Sequence, residues 1–258
     1  MRGLLLTLFL LCGAAAATAA PIVFQDNMAQ RTLACTSCHG REGRAGPDGY
    51  YPRIAGKPAG YLYNQLLNFR DGRRHYGLMA GLLETLSDDY LAEIAHHFAS
   101  QEAPYPPPQR AAVPPEVLAR GQALAAQGDA ERRLPACASC HGKALTGVAP
   151  AVPGLLGLPR DYLNAQLGAW RTGQRRALAP DCMAEIARRL SPEDLSAVTA
   201  FLSSEALPAN PHAVSPEAPA AAPVQQRRKG RKAAPPPAPE PPPMRCGAAQ
   251  FPLAGSAR

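Results

Sequence analysis

Apolar residues recur at helical spacing in several stretches of the chain, and polar punctuation frames them. Ser191 stands where a helix N-cap belongs, Pro192 suits the first helical position, and Asp194 follows in a capping-box pattern. Leu195, Val198, Phe201 and Leu202 then make one apolar stripe, which predicts a helix. Earlier in the chain Ser87 opens the same pattern, with Leu91, Ile94 and Phe98 facing inward. The stretch YLYNQLLNFR, residues 61–70, turns Tyr61, Leu62, Leu66 and Phe69 to one side, and YLNAQLGAWR from Tyr162 reads alike. A further helix is predicted over 116–127, whereas FQDNMAQ, near the N-terminus, allows only a shorter one. No stretch alternates convincingly with a period of two, so the fold class is all-α.

These elements belong to an internal repeat. The phrase LACTSCHG at 33–40 returns as LPACASCHG at 134–142, with Cys137 standing 102 positions after Cys35. YPRIAG at 51–56 then falls over VPGLLG at 152–157, and Tyr61 over Tyr162, an offset of 101. Met79 to Ser100 falls over Met183 to Ser204, an offset of 104. Drifting offsets mean small loop insertions inside one shared architecture, hence two tandem domains rather than a solenoid of short repeats. We place the domains at 20–103 and 116–207, joined by a proline-rich connector at 104–115 that cannot extend a helix.

Composition adds the two ends. Residues 1–19 read as an export signal: Arg2, an apolar run from Leu4 to Leu11, and Ala17-Thr18-Ala19 as a small-residue cleavage pattern. The protein is thus expected in the periplasm, where disulfides can form. The segment 208–258 is rich in Pro and Ala. Its seven Lys/Arg outnumber Glu217 and Glu240, a net +5 of the chain's +7. It has no apolar period, so a disordered tail is expected, its QRRKGRK run able to approach an anionic membrane surface. Nucleic acid is not an expected partner of an exported chain. Aromatics are only 6% of the chain, and cores built of Leu and Ala would be thin unless a large apolar group filled them.

Of seven cysteines, Cys12 falls in the export signal and four lie in the repeated phrase. Cys182 and Cys246 remain, to pair with each other, pair with another chain or stay free. A zinc site would need more ligands than either C-x-x-C copy has at plausible spacing. A thioredoxin-like pair would need a strand before it. Neither explains the histidine. Covalent haem attachment explains every position: two cysteines form thioethers to one porphyrin edge, and the next residue faces the iron. Cys35 and Cys38 with His39, and Cys137 and Cys140 with His141, therefore predict two haem c groups. Met79 and Met183, each eight residues before a helix-capping serine, are the candidate sixth ligands. His75, His96 and His97 have no match in the second copy, and Cys182 is a weaker rival as a thiolate.

From about Gln30 to about Ser204 the chain resembles the dihaem cytochrome c4 family, on CTSCHG and CASCHG, on YPRIAGKPAGYLYNQLLNFRDGRR and its second copy, on GQALAAQGDAERRLPACASCHG and on the two methionine segments. The resemblance implies axial pairs His39/Met79 and His141/Met183, with Pro52 and Pro153 supporting each haem from the histidine side. It further implies two class I cytochrome c domains docked about a pseudo-twofold, and outer-sphere one-electron transfer without a catalytic site. The first expectation is a carrier between a quinol-oxidising complex and a terminal oxidase or other reductase. The second is the electron-accepting cytochrome of a dehydrogenase such as a flavocytochrome. A dihaem enzyme, a peroxidase or a thiosulfate-oxidising cytochrome, is the third.

Overall fold

A computed structural model describes residues 23–46, 49–216 and 245–252. The export signal and the QRRKGRK run lie outside the described residues. The described chain is helical apart from a two-residue antiparallel ladder, β1 (Gly147–Val148) with β2 (Val152–Pro153). In the first half run α1 (Met28–Arg31), α2 (Leu33–His39), α3 (Ala59–Arg70), α4 (Gly77–Leu83) and α5 (Asp88–Ala99). In the second run α6 (Pro115–Ala126), α7 (Cys137–His141), α8 (Arg160–Thr172), α9 (Cys182–Arg189) and α10 (Pro192–Ser204).

The order repeats because the sequence does. Ser87 caps α5 by accepting from the Tyr90 amide, and Ser191 caps α10 by accepting from the Asp194 amide at 3.1 Å. Asp194 departs from the expected capping box. Its carboxylate, only 5% exposed, turns to Arg120 at 2.8 Å and Arg132 at 2.5 Å, because two guanidinium partners outweigh one backbone amide. One core gathers Leu62, Leu67, Leu83, Leu91, Ile94 and Phe98 from α3, α4 and α5. Its counterpart gathers Leu163, Val198, Phe201 and Leu202 from α8 and α10. The connector is pinned rather than free: Arg53 donates to the carbonyls of Ala103 and Pro104 and stacks 3.7 Å over Tyr105, and the Gln109 amide donates to Ser203.

The halves meet about a local twofold. His75 N donates to Gln174 O at 2.8 Å, and in the mirror position Arg176 N donates to Arg73 O at 2.7 Å. Between them Arg74 and Arg175 face each other as an isolated antiparallel bridge.

The expectation of a disordered tail over 208–258 fails at both described ends. Val214 exchanges backbone hydrogen bonds with Gly147 and Ala149. Residues 245–252 return to the body, fastened by a disulfide between Cys182 and Cys246. Gly247 N donates to Pro180 O, Ala249 N donates to Asn64 Oδ1, and the Phe251 ring packs against Tyr63 and His96. A single apolar ring and two cysteines anchor a segment whose composition alone offers no period to read.

Candidate haem sites

In both repeats the C-x-x-C pair occupies one short helix, α2 or α7, which ends on the histidine and passes into a positive-φ glycine, Gly40 or Gly142. His39 Nδ1 lies 2.8 Å from Pro52 O, and His141 Nδ1 lies 2.7 Å from Pro153 O. A carbonyl can only accept, so Nδ1 carries the proton and Nε2 is left with its lone pair. Burial lowers the pKa of both imidazoles, more than the carbonyl contact raises it, and keeps them neutral as iron ligation requires. Burial also pushes the Cys137 thiol up to about 11 and raises that of Cys35. Redox-active C-x-x-C pairs have depressed thiol pKa values, so this environment is wrong for thiol exchange.

A cavity of about 960 Å³ opens in the first half, and Cys35, Cys38, His39 and Met79 all line it, the last from α4. The four expected residues are thus brought to one space. His75 lines the same cavity, while His96 packs against Phe251. In the second half Cys137, Cys140 and His141 share α7, and Met183 lies in the first turn of α9, beside α8. Cys182 is committed to its disulfide, which removes it as a rival ligand.

The cavity reaches the boundary between the halves, where polar residues converge that the motifs do not announce. Arg74 donates to Gln65 at 3.1 Å and to Gln166 at 2.6 Å. Arg175 donates to Gln166 at 2.7 Å, Gln65 at 2.9 Å and the Tyr61 hydroxyl at 3.3 Å. Each guanidinium also covers an aromatic ring, Phe69 or Trp170. Burial, then the charge of Arg175, lowers the pKa of Arg74, and neither arginine has an ion-pair partner among the described residues. Buried cations without counterions call for an anion. The indole N–H of Trp170 is buried with no acceptor, another donor left open. The lining fits a haem: Leu62, Leu66, Phe69 and Leu83 would cover its apolar ring, His39 and Met79 line the same space and would serve as iron ligands, and the arginines would meet its carboxylates. The signal for Gln65/Gln166 and Arg74/Arg175 is in the sequence, since both pairs fall in register at the 101 offset.

Fold and site together point to a class I c-type cytochrome, and the comparisons with known proteins give it two covalently bound haem c groups and an electron-transfer role. The cytochrome c family model matches residues 118–206. The chain is 37% identical over 193 residues to the thiosulfate dehydrogenase electron acceptor of Stutzerimonas stutzeri, covering 74% of this chain and 88% of that one. It is 34% identical over 174 residues to cytochrome c4 of Pseudomonas aeruginosa, covering 67% and 84%. Among solved structures, thiosulfate dehydrogenase (TsdBA) from Marichromatium purpuratum superposes with a TM-score of 0.60 at 33% identity. That match covers 67% of this chain and 36% of the longer TsdBA chain. The chain belongs to the dihaem cytochrome c4 family.

Proposed function

We propose that this protein is the periplasmic electron acceptor of a thiosulfate-oxidising dehydrogenase, taking up electrons at two haems and handing them on singly. The observation that carries the reading is the 37% identity, over 88% of its length, to a thiosulfate dehydrogenase electron acceptor. This is the second of the roles expected from sequence. It displaces donation to a terminal oxidase as the main reading, and the oxidase or another reductase becomes the later recipient.

In this reading Cys35, Cys38, Cys137 and Cys140 form the thioethers, and His39/Met79 and His141/Met183 are the axial pairs. A bound haem iron takes or gives one electron without any bond being made to substrate. The chain's residues do the rest. Pro52 and Pro153 carbonyls fix the imidazole planes and raise their basicity as ligands. Methionine sulfur, a soft ligand, favours ferrous iron and so makes a good acceptor. Arg74 and Arg175, each bonded to glutamines of both halves, hold the two sites at a fixed separation. A two-electron oxidation can then deposit one electron in each half.

The test is reduction of the ferric holoprotein by thiosulfate with catalytic amounts of a purified thiosulfate dehydrogenase, followed optically. Both haems are expected to reduce within enzymatic turnover, and thiosulfate alone is expected to reduce neither. A holoprotein that stays ferric while a known acceptor is reduced in the same cuvette would sink the proposal.

A further inference from the structure

Lys57 is 7% exposed and lines the same cavity as Cys35, His39 and Met79. It makes no ion pair among the described residues. Its titratable neighbours are Arg53, whose charge repels it, and the neutral Tyr61 hydroxyl, with Arg74 and Arg175 beyond that. Among the lining residues the one acid is Asp161 of α8, which is exposed and pairs with none of them. Burial lowers the Lys57 pKa to about 8. A lysine placed so, with no acid beside it, is costly to the empty fold and makes sense only beside an anion.

The second half has no such group at the matching position. At the 101 offset Lys57 falls on Leu158, 6% exposed, and Arg53 falls on Gly154. Tyr61 with Tyr162, Gln65 with Gln166 and Arg74 with Arg175 are matched pairs and do not distinguish the sites; Arg73 over Gln174 and His75 over Arg176 are unmatched, but Arg73 pairs with Asp71 at 2.8 Å and Arg176 is exposed. Trp170 in place of Phe69 gives the second half one extra neutral N–H donor, a dipole against a full charge.

We propose that Lys57 distinguishes the two haems: its ammonium neutralises a carboxylate of the first haem, so that this haem retains an electron more tightly than the second. Reduction adds one electron to ferric iron and lowers the charge of the site by one, which a nearby buried cation favours. The first haem is then where a single electron rests, and the second passes it along. The inference rests on the two-haem assignment and stands whichever partner supplies the electrons.

Optical redox titration of the purified holoprotein tests it. The Met79→His variant, whose bis-histidine iron titrates at lower potential, marks which wave belongs to the first haem. Lys57→Leu, which installs the residue of the second half, is expected to cost that wave at least tenfold in its ferrous-to-ferric ratio at fixed potential, or 59 mV for one electron. The second wave stays in place, and Lys57→Arg restores the first. If Lys57→Leu does not take up haem, Lys57→Met keeps the unbranched stem and reads the same quantity. An unmoved first wave, an equal shift of both, or an arginine variant that behaves like leucine overturns the proposal. Failure of the thiosulfate assay would leave these waves untouched, so the two readings fail separately.

Discussion

Gly121 lies where α6 crosses α10, and a Cβ there would stand 2.2 Å from the carbonyl oxygen of Ala197 and 2.8 Å from Cβ of Phe201. Both are fixed by helix α10, so neither can swing away. In an open helix, glycine to alanine would stabilise by ~1 kcal/mol. Here Gly121→Ala is expected to destabilise by ~1–3 kcal/mol through overpacking, seen as a lower thermal midpoint of the holoprotein. A rise in midpoint would show that the helices do not approach so closely. At this scale the sequence is uneven in what it discloses. The C-x-x-C-H phrases announce themselves because covalent chemistry demands fixed spacing. Met79 becomes legible only through the repeat, since a methionine by itself reads as packing. Lys57 cannot be singled out in advance: a lysine is ordinarily solvent-exposed, and only the fold shows this one enclosed beside a cavity.

Among the elements, the helices most visible in the apolar pattern are α3, α5, α8 and α10, and their amphipathic stripes are the faces that meet in the cores. Missing from that pattern is the network that ties the α6–α7 loop to α10. Arg120 bonds Asp129 at 2.9 Å and Asp194 at 2.8 Å, and Arg132 bonds the same two carboxylates. Charge pairs between distant segments follow no period. The arginines hold the Asp129 pKa down to about 2 and lower that of Asp194. A carboxylate whose pKa is lowered by folding stabilises the fold above its unfolded value, near 4, and that support is lost as pH falls toward 2. Thermal melts of Asp129→Asn are therefore expected to fall below those of the parent protein at pH 7, with a gap that narrows as pH drops from 4 to 2. A gap independent of pH would mean that the aspartate acts through packing alone.

For the whole molecule, the repeat makes two similar halves readable, and the matched residues Arg74 and Arg175 make the twofold between them intelligible afterwards. The return of residues 245–252 is not readable, because nothing in a Pro- and Ala-rich stretch says which surface its end will find. Its disulfide joins residues 64 apart in sequence, for which loop entropy alone gives about 4 kcal/mol of stabilisation. Replacing Cys182 and Cys246 together by serine is expected to lower the unfolding midpoint and to expose the Tyr63–His96 face to protease or hydrogen exchange. Unchanged protection at that face would show that Phe251 holds the segment unaided. The same bond imposes a demand on biogenesis. Under the proposed haem assignment, Cys182 and Cys246 are oxidised in a compartment where Cys35, Cys38, Cys137 and Cys140 would each have to arrive at haem as free thiols, for a disulfide within either C-x-x-C pair would block thioether formation. The machinery that matures this chain has to tell six chemically identical sulfurs apart, and reduce some while sparing others.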